Sequence, residues 1–381
     1  MVDSVSLLQQ LIKCKSITPD NDGVLELVQN TLTKLGFIVE IIEFEDKNSY
    51  SVKNLYAKLG KGNNNLAFCG HLDIVPPGDL KAWEVPPFSA TIKDGAIIGR
   101  GAEDMKGNIA AFIAAVASIL KSFNQDSNSL IIMLTLDEES LAINGIKKLI
   151  KHIVEKKQLK IDACLLGEPT CKSYIGDCIK IGRRGSLNFV IKAKGKQGHV
   201  AYPSLFNNPT KVANKVISKL LDIDFSAKAK DFEPSNLEIT GVNSSSSVYN
   251  IVPSEVEIKG NVRFNNAYTL DEVKQKITSS VNEFNNIEID FMPDYSSPFI
   301  TSNNSKLYLA LQKAIVTVTN KVPQSNTFGG TSDARFIKDY TDVIEFGLLE
   351  KTLHQANEQV KIQDLEILTK IYATFLEEYF S

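Results

Sequence analysis

No stretch of the chain approaches the roughly 18 consecutive apolar residues that a membrane-crossing helix needs, so a helical membrane protein is excluded. Cysteine is sparse: Cys14, Cys69, Cys164, Cys171 and Cys178 make five, an odd number without a CxxC pair. That pattern excludes a disulfide framework and a thiolate zinc knuckle, and all five thiols are expected to be reduced. Cys69, two residues before His71, is expected to be core packing. A basic excess is missing too: 42 Lys and Arg stand against 45 Asp and Glu, a formal charge of -3. The chain therefore lacks the electrostatic footprint for nucleic acid or an anionic membrane, and the expected partner is a small molecule. The amino terminus, MVDSVSLLQQLIKCK, is too polar for a signal peptide, and a cytoplasmic location is expected.

What is present is a large apolar fraction, 43% of 381 residues, enough for two cores. Helical spacing over 3–15 and 22–35 is followed by β-rich runs at 37–44, 52–59 and 66–71. A Pro-rich loop, 76–87, holds the single tryptophan, Trp83, and can form a site wall. A hairpin around Asp94-Gly95 precedes GRGAEDMKG and an alanine-rich helix at 108–123. SLIIMLTL and IDACLL read as buried strands separated by a helix near 142–155. This alternation predicts an α/β fold, a mostly parallel sheet with helices on both faces. Near residue 180 the rhythm changes. DCIKIGRRG and SLNFVIKAK read as a hairpin, followed by helices at 209–221 and 270–284 and strands at 236–243 and 255–264, an α+β insert ending at MPDYSSP. Helices at 304–319 and 362–380 and a strand DVIEFGLL close the chain.

The stretch LAFCGHLDIVPPGD organises the candidate site. An apolar strand ends abruptly in His71 and Asp73, polar groups that are costly to bury without partners. In open α/β sheets the ligand crevice lies beyond the carboxyl ends of strands. Three further strand ends or Gly-rich turns carry acids: Asp104 in GRGAEDMKG, Glu138 and Glu139 in TLDEES, and Glu168 in GEPT. His354, in the late loop EKTLHQANE, is a further candidate. Each alone is weak, but all follow apolar strands or Gly-rich turns. Two histidines and several carboxylates are what two adjacent divalent ions require, held roughly 3.5–4 Å apart by a bridging carboxylate. Nitrogen and oxygen donors without thiolate suit zinc, with cobalt or manganese as substitutes. Asp73 can accept the free N–H of the His71 imidazole. Glu138 and Glu139 can share one site only if the strand has already broken there, one ligating and the other taking a proton from the attacking water. His152 reads as a surface residue.

With GHLDIVPPGD, GRGAEDMKG, TLDEES, GEPT, GRRGSL, GKQGHVAYP and GGTSDARF in this order, the chain resembles the dinuclear zinc aminoacylase and carboxypeptidase clan over nearly its whole length. The resemblance implies a hydrolase of a linear amide with two Zn2+ per subunit, Co2+ being a possible substitute. His71, Asp104 and Glu168 would hold one ion and Asp104, Glu139 and His354 the other, with Asp73 behind His71 and Glu138 as general base. It also implies a catalytic domain from 1–180 and 293–381, an inserted dimerisation domain from 181–292, and a homodimer across which His199 reaches the partner's site. A cis peptide after Asp104 is implied as well. Arg183, Ser186, Tyr202, Asn250, Arg263, Gly330 and Thr331 match positions that would meet a substrate bearing carboxylates and an amine. The chain departs from the clan's pattern at Glu103, Tyr249 and Glu350: a small residue is usual in place of Glu103, and an asparagine facing the substrate in place of Glu350.

Overall fold

The computed structural model describes residues 2–47 and 49–381. The chain packs into two compact units, one of residues 1–182, 301–326 and 332–381, the other of residues 183–300 and 327–331. By packing, segments 293–300 and 327–331 thus fall with the inserted unit.

The larger unit is built on an eight-stranded sheet in the spatial order 38–46, 49–59, 128–135, 64–71, 163–166, 343–345, 178–180, 324–326. Its centre is parallel, strand 64–71 pairing with 128–135 on one side and 163–166 on the other, and 163–166 with 343–345. Strand 49–59 runs antiparallel to both 38–46 and 128–135, which makes the sheet mixed. Burial on both faces explains why the central strands read as unbroken apolar runs rather than alternations: every residue from Asn65 to His71 is buried. Phe68 stacks on Phe112 of helix Gly107–Ile119 with ring centroids 3.8 Å apart, and Tyr372 of helix Ile362–Phe380 meets Phe112 edge-on at 5.5 Å. The buried Tyr372 hydroxyl is satisfied by the Phe346 carbonyl at 2.7 Å.

A small sheet, 359–361 with 96–98 and 91–93, lies in the same unit. Its pairing of Gln359 with Ile98 sets the loop before residue 359 beside the turn after residue 98, a juxtaposition that matters for the site.

The second unit has a four-stranded antiparallel sheet in the order 236–244, 255–264, 185–194, 287–291. Buried and partly exposed residues alternate along Glu255–Phe264, as expected when one face packs on helices, here Pro209–Leu221 and Leu270–Ser280. The hairpin read from DCIKIGRRG and SLNFVIKAK does not form. Residues 178–180 join the large sheet beside 324–326, whereas 185–194 pairs with 255–264. Two adjacent β-rich runs had the signature of a hairpin, but the boundary between the units passes between them. The helix read near 142–155 begins only at Ile146, because 136–145 is a loop.

Candidate metal centre

The carboxyl end of strand 64–71 delivers His71, buried, into a cluster of acids. A Cβ on Gly70 beside it would lie 2.5 Å from the Met105 Cε, so the Met105 side chain would have to shift. The turn after Gly101, whose φ of +83° favours glycine, brings up Asp104. The Asp104–Met105 peptide bond is cis. Asp104 Oδ1 lies 3.1 Å from His71 Nε2 and its Oδ2 3.3 Å from His354 Nε2, so one carboxylate faces both imidazoles. His354 Nε2 is 3.0 Å from Glu139 Oε1, and His71 Nε2 is 3.8 Å from Glu168 Oε1. Ligand atoms of His71, Asp104 and Glu139 all lie within 4.8 Å of one another.

The electrostatics follow from this crowding. Burial opposes a charged His71, yet the hydrogen bond with Asp104 and the charges of Glu168, Asp104 and Glu138 raise its pKa well above the ordinary value. Hydrogen bonds with Asp104 and Glu139 push His354 up to about 10. Burial would raise Asp104, but both imidazoles hold it below the usual range. The cluster therefore attracts positive charge, and its donors are imidazole nitrogens and carboxylate oxygens, the chemistry that suits a borderline divalent ion.

Asp73 differs from its expected contact. His71 Nδ1 is 2.9 Å from the Asp73 backbone carbonyl and 3.7 Å from its carboxylate. The buried carboxylate instead accepts from Thr18 Oγ1 at 2.7 Å and from the backbone N–H groups of Glu138 and Glu139 at 3.1 and 3.0 Å. Strand 128–135 has ended before Glu138, so the two consecutive glutamates belong to a loop. Burial raises the Glu138 carboxyl well above the ordinary value; His71 opposes this, and Glu168, Asp333 and Glu139 add to it.

Of the residues assigned to substrate, all lie in the second unit, as does His199. Gly198–His199 pairs with Ile251–Val252, and Val200 N–H donates to the Asn250 carbonyl at 3.0 Å. Tyr202, exposed, sits with its ring 5.5 Å from that of His199. The exposed ladder thus collects His199, Tyr202 and Asn250. Ser186 and Arg263 are register partners on neighbouring strands, and Arg183 donates to the Phe328 carbonyl at 2.9 Å, near Gly330 and Thr331 in the chain.

Glu350, marked in the sequence as a departure from the clan's pattern, is ion-paired to the buried Lys180 at 2.8 Å, so its charge is compensated. Sequence reasoning missed other groups in the larger unit. Asp333 of GGTSDARF is buried, its pKa pushed by burial up to about 7, with an Oδ2 that has no hydrogen-bond partner among the described residues. Glu358, also buried, accepts from Arg100 Nη1 at 2.7 Å and from the N–H groups of Gly101, Glu103 and Asp104 at 3.0, 2.9 and 3.0 Å. Nothing in its local sequence marks it, since its donors lie more than 250 positions away. Trp83 packs over Arg100 at 5.3 Å, with its N–H donated to Pro77, so the Pro-rich loop supports the turn.

The chain belongs to peptidase family M20/M25/M40, whose model matches residues 67–378, and an acid-and-imidazole cluster at the carboxyl end of its sheet is what a metal-dependent hydrolase of that family would need. Two curated relatives are each named succinyl-diaminopimelate desuccinylase. That of Pelagibacter ubique is 42% identical over 383 residues, covering 99% of both chains. That of a Bradyrhizobium species is 40% identical over 386 residues, covering 100% of both. Among solved structures, an M20 family metallo-carboxypeptidase from Sulfolobus solfataricus superposes with a TM-score of 0.83 at 20% identity and full coverage of both chains. A dinuclear metal binding peptidase of the M20 family from Bacillus subtilis gives 0.69 at 14%, covering 99% of this chain and 96% of that one. At such identities these two likenesses speak to the fold.

Proposed function

We propose that the chain hydrolyses N-succinyl-LL-2,6-diaminopimelate to succinate and LL-2,6-diaminopimelate, a step of lysine and diaminopimelate biosynthesis. The observation that carries this reading is full-length identity of 42% to a desuccinylase. The convergence of His71, Asp104 and Glu139 supports it with the chemistry an amide hydrolase needs.

His71, Asp104 and Glu168 would hold one zinc ion and Asp104, Glu139 and His354 the other, cobalt being a substitute. Bound there, the pair would polarise the scissile carbonyl and make the attacking water more acidic. Glu138, not a ligand, takes a proton from that water as its oxygen attacks the carbonyl carbon. It then returns the proton to the leaving nitrogen as the C–N bond breaks, releasing a carboxylate and an amine. Asp73 holds the backbone of Glu138 and Glu139 and, through its carbonyl, orients His71.

We assign His199 to stabilising the oxyanion from across a homodimer, and Arg183, Ser186, Tyr202, Asn250, Arg263, Gly330 and Thr331 to the substrate's carboxylates and amine. Edge strand 236–244, largely exposed, and the exposed Val242 and Tyr249 support pairing through the inserted unit. Five free cysteines and the lack, among the described residues, of a helix long and apolar enough to cross a membrane accord with a cytoplasmic enzyme. The deciding experiment is hydrolysis of the succinyl substrate before and after chelation and on restoring zinc. Faster cleavage of acetylornithine or of a dipeptide would instead favour an acetylornithine deacetylase or a carboxypeptidase of the same clan.

A further inference from the structure

We infer that Glu103 is a positioning residue for His354: it fixes the backbone of the loop that carries this imidazole, and so sets the geometry of the ion shared by Asp104, Glu139 and His354. The inference rests on the dinuclear reading and assigns a task to a residue outside the ligand set.

The carboxylate of Glu103 is buried, and its donors lie in the loop before His354. It accepts from Lys351 N–H at 3.1 Å, from Thr352 N–H at 2.6 Å and from Thr352 Oγ1 at 2.7 Å. Both donor residues precede His354 by two or three positions. His354 itself sits at a φ of +58°, with half of its side chain exposed. Neither feature holds the imidazole where Asp104 and Glu139 need it, so its position depends on how the loop is anchored.

The anchoring is reciprocal. Glu358, at the end of the His354 loop, reaches into the turn 100–104 and takes its backbone N–H groups, including that of Asp104 at 3.0 Å. Glu103, from that turn, reaches back into the loop. Arg100 adds contacts to the His354 and Gln355 carbonyls at 3.3 and 3.2 Å. Two acids thus cross-brace the two segments that meet at the contact between Asp104 and His354. A side chain with two acceptor oxygens is needed at 103, because three donors converge there and buried donors without acceptors are costly. The neighbouring His71 is held differently, at the end of a central strand paired on both sides, so loss of the Glu103 brace should act on one ion of the two.

The test is Co2+ binding to the full chain, followed by equilibrium dialysis and by the visible absorption of bound cobalt, with Glu103→Ala, Glu103→Gln and Thr352→Val. Two ions per parent chain are expected. In Glu103→Ala the affinity for one ion should fall at least tenfold while the other is unchanged, and Glu103→Gln, which keeps an acceptor, should fall less. In a His354→Ala background, Glu103→Ala should cause no further loss, because Glu103 acts through that histidine. Equal cobalt affinities in the parent and Glu103→Ala would overturn the inference, as would an added loss in the His354→Ala background. If Glu103→Ala does not fold, the milder Glu103→Gln and Thr352→Val variants decide by the same criteria. A parent that binds no cobalt would overturn the dinuclear reading and this inference with it.

Discussion

Glu139 donates its backbone N–H to the Asp73 carboxylate at 3.0 Å, so the acid behind His71 also holds the loop that carries a second candidate ligand. Thr18 and Glu138 donate to the same carboxylate. Asp73→Ala would leave three donors in a buried region without their acceptor. A loss of about 3–5 kcal/mol is expected, along with loss of activity. Thr18→Val removes one of the three and should cost about 1–2 kcal/mol. Urea unfolding of both variants checks the ratio, and similar costs would show that the carboxylate does not gather the loop.

Glu138→Ala should retain two bound ions and lose about 10²–10⁴-fold in turnover, since only the proton acceptor is removed. Ion content by elemental analysis and kcat on the succinyl substrate are measured on the same sample. Loss of ions would place Glu138 among the ligands instead.

His199→Ala should lower turnover sharply while leaving dimers intact in sedimentation. Mixed with Glu138→Ala to form heterodimers, it should regain part of the activity, because one site would then combine a native base with a native His199 from the other chain. Verified heterodimers without such recovery would place His199 in its own chain's site.

Lys106 makes the stability depend on pH. It is buried, donating to the Leu11 and Cys14 carbonyls at 3.0 and 2.8 Å, and burial lowers its pKa from 10.5 to about 8. A depressed folded value contributes stability above the ordinary pKa, and this is lost as pH falls through about 8. Relative to the parent, Lys106→Met should therefore be least stable near pH 10.5 and gain on the order of 1–3 kcal/mol as pH falls to 7, on top of a pH-independent cost for the two carbonyls left without a donor. Denaturant midpoints measured from pH 7 to 10 test the slope. Parallel profiles for the two proteins would contradict it.

Most of the candidate site was legible because its residues stand where local pattern changes. His71 ends an apolar strand buried on both faces, and Glu138, Glu139 and Glu168 follow strands of the same sheet. Abrupt polarity after an apolar run is a local signal, and so is a Gly-rich turn such as that before Asp104. The break between 178–180 and 185–194 was not legible, since adjacent β-rich runs look alike whether they pair with each other or with distant strands.

By itself, then, the sequence determined the α/β class, the strand ends where the candidate site residues stand, and the kind of ion such donors would suit, because periodicity, turn residues and donor type are properties of short segments. Only the tertiary structure decided that the Asp73 carboxylate grips a loop while its carbonyl meets His71, that Lys180 compensates Glu350, and that Glu103 and Glu358 brace Asp104 against His354. These contacts join residues from 65 to more than 250 positions apart, apart from the two-residue contact of His71. Which oxygen of an acid meets which donor depends on how sheet and loops pack, and no short segment encodes that.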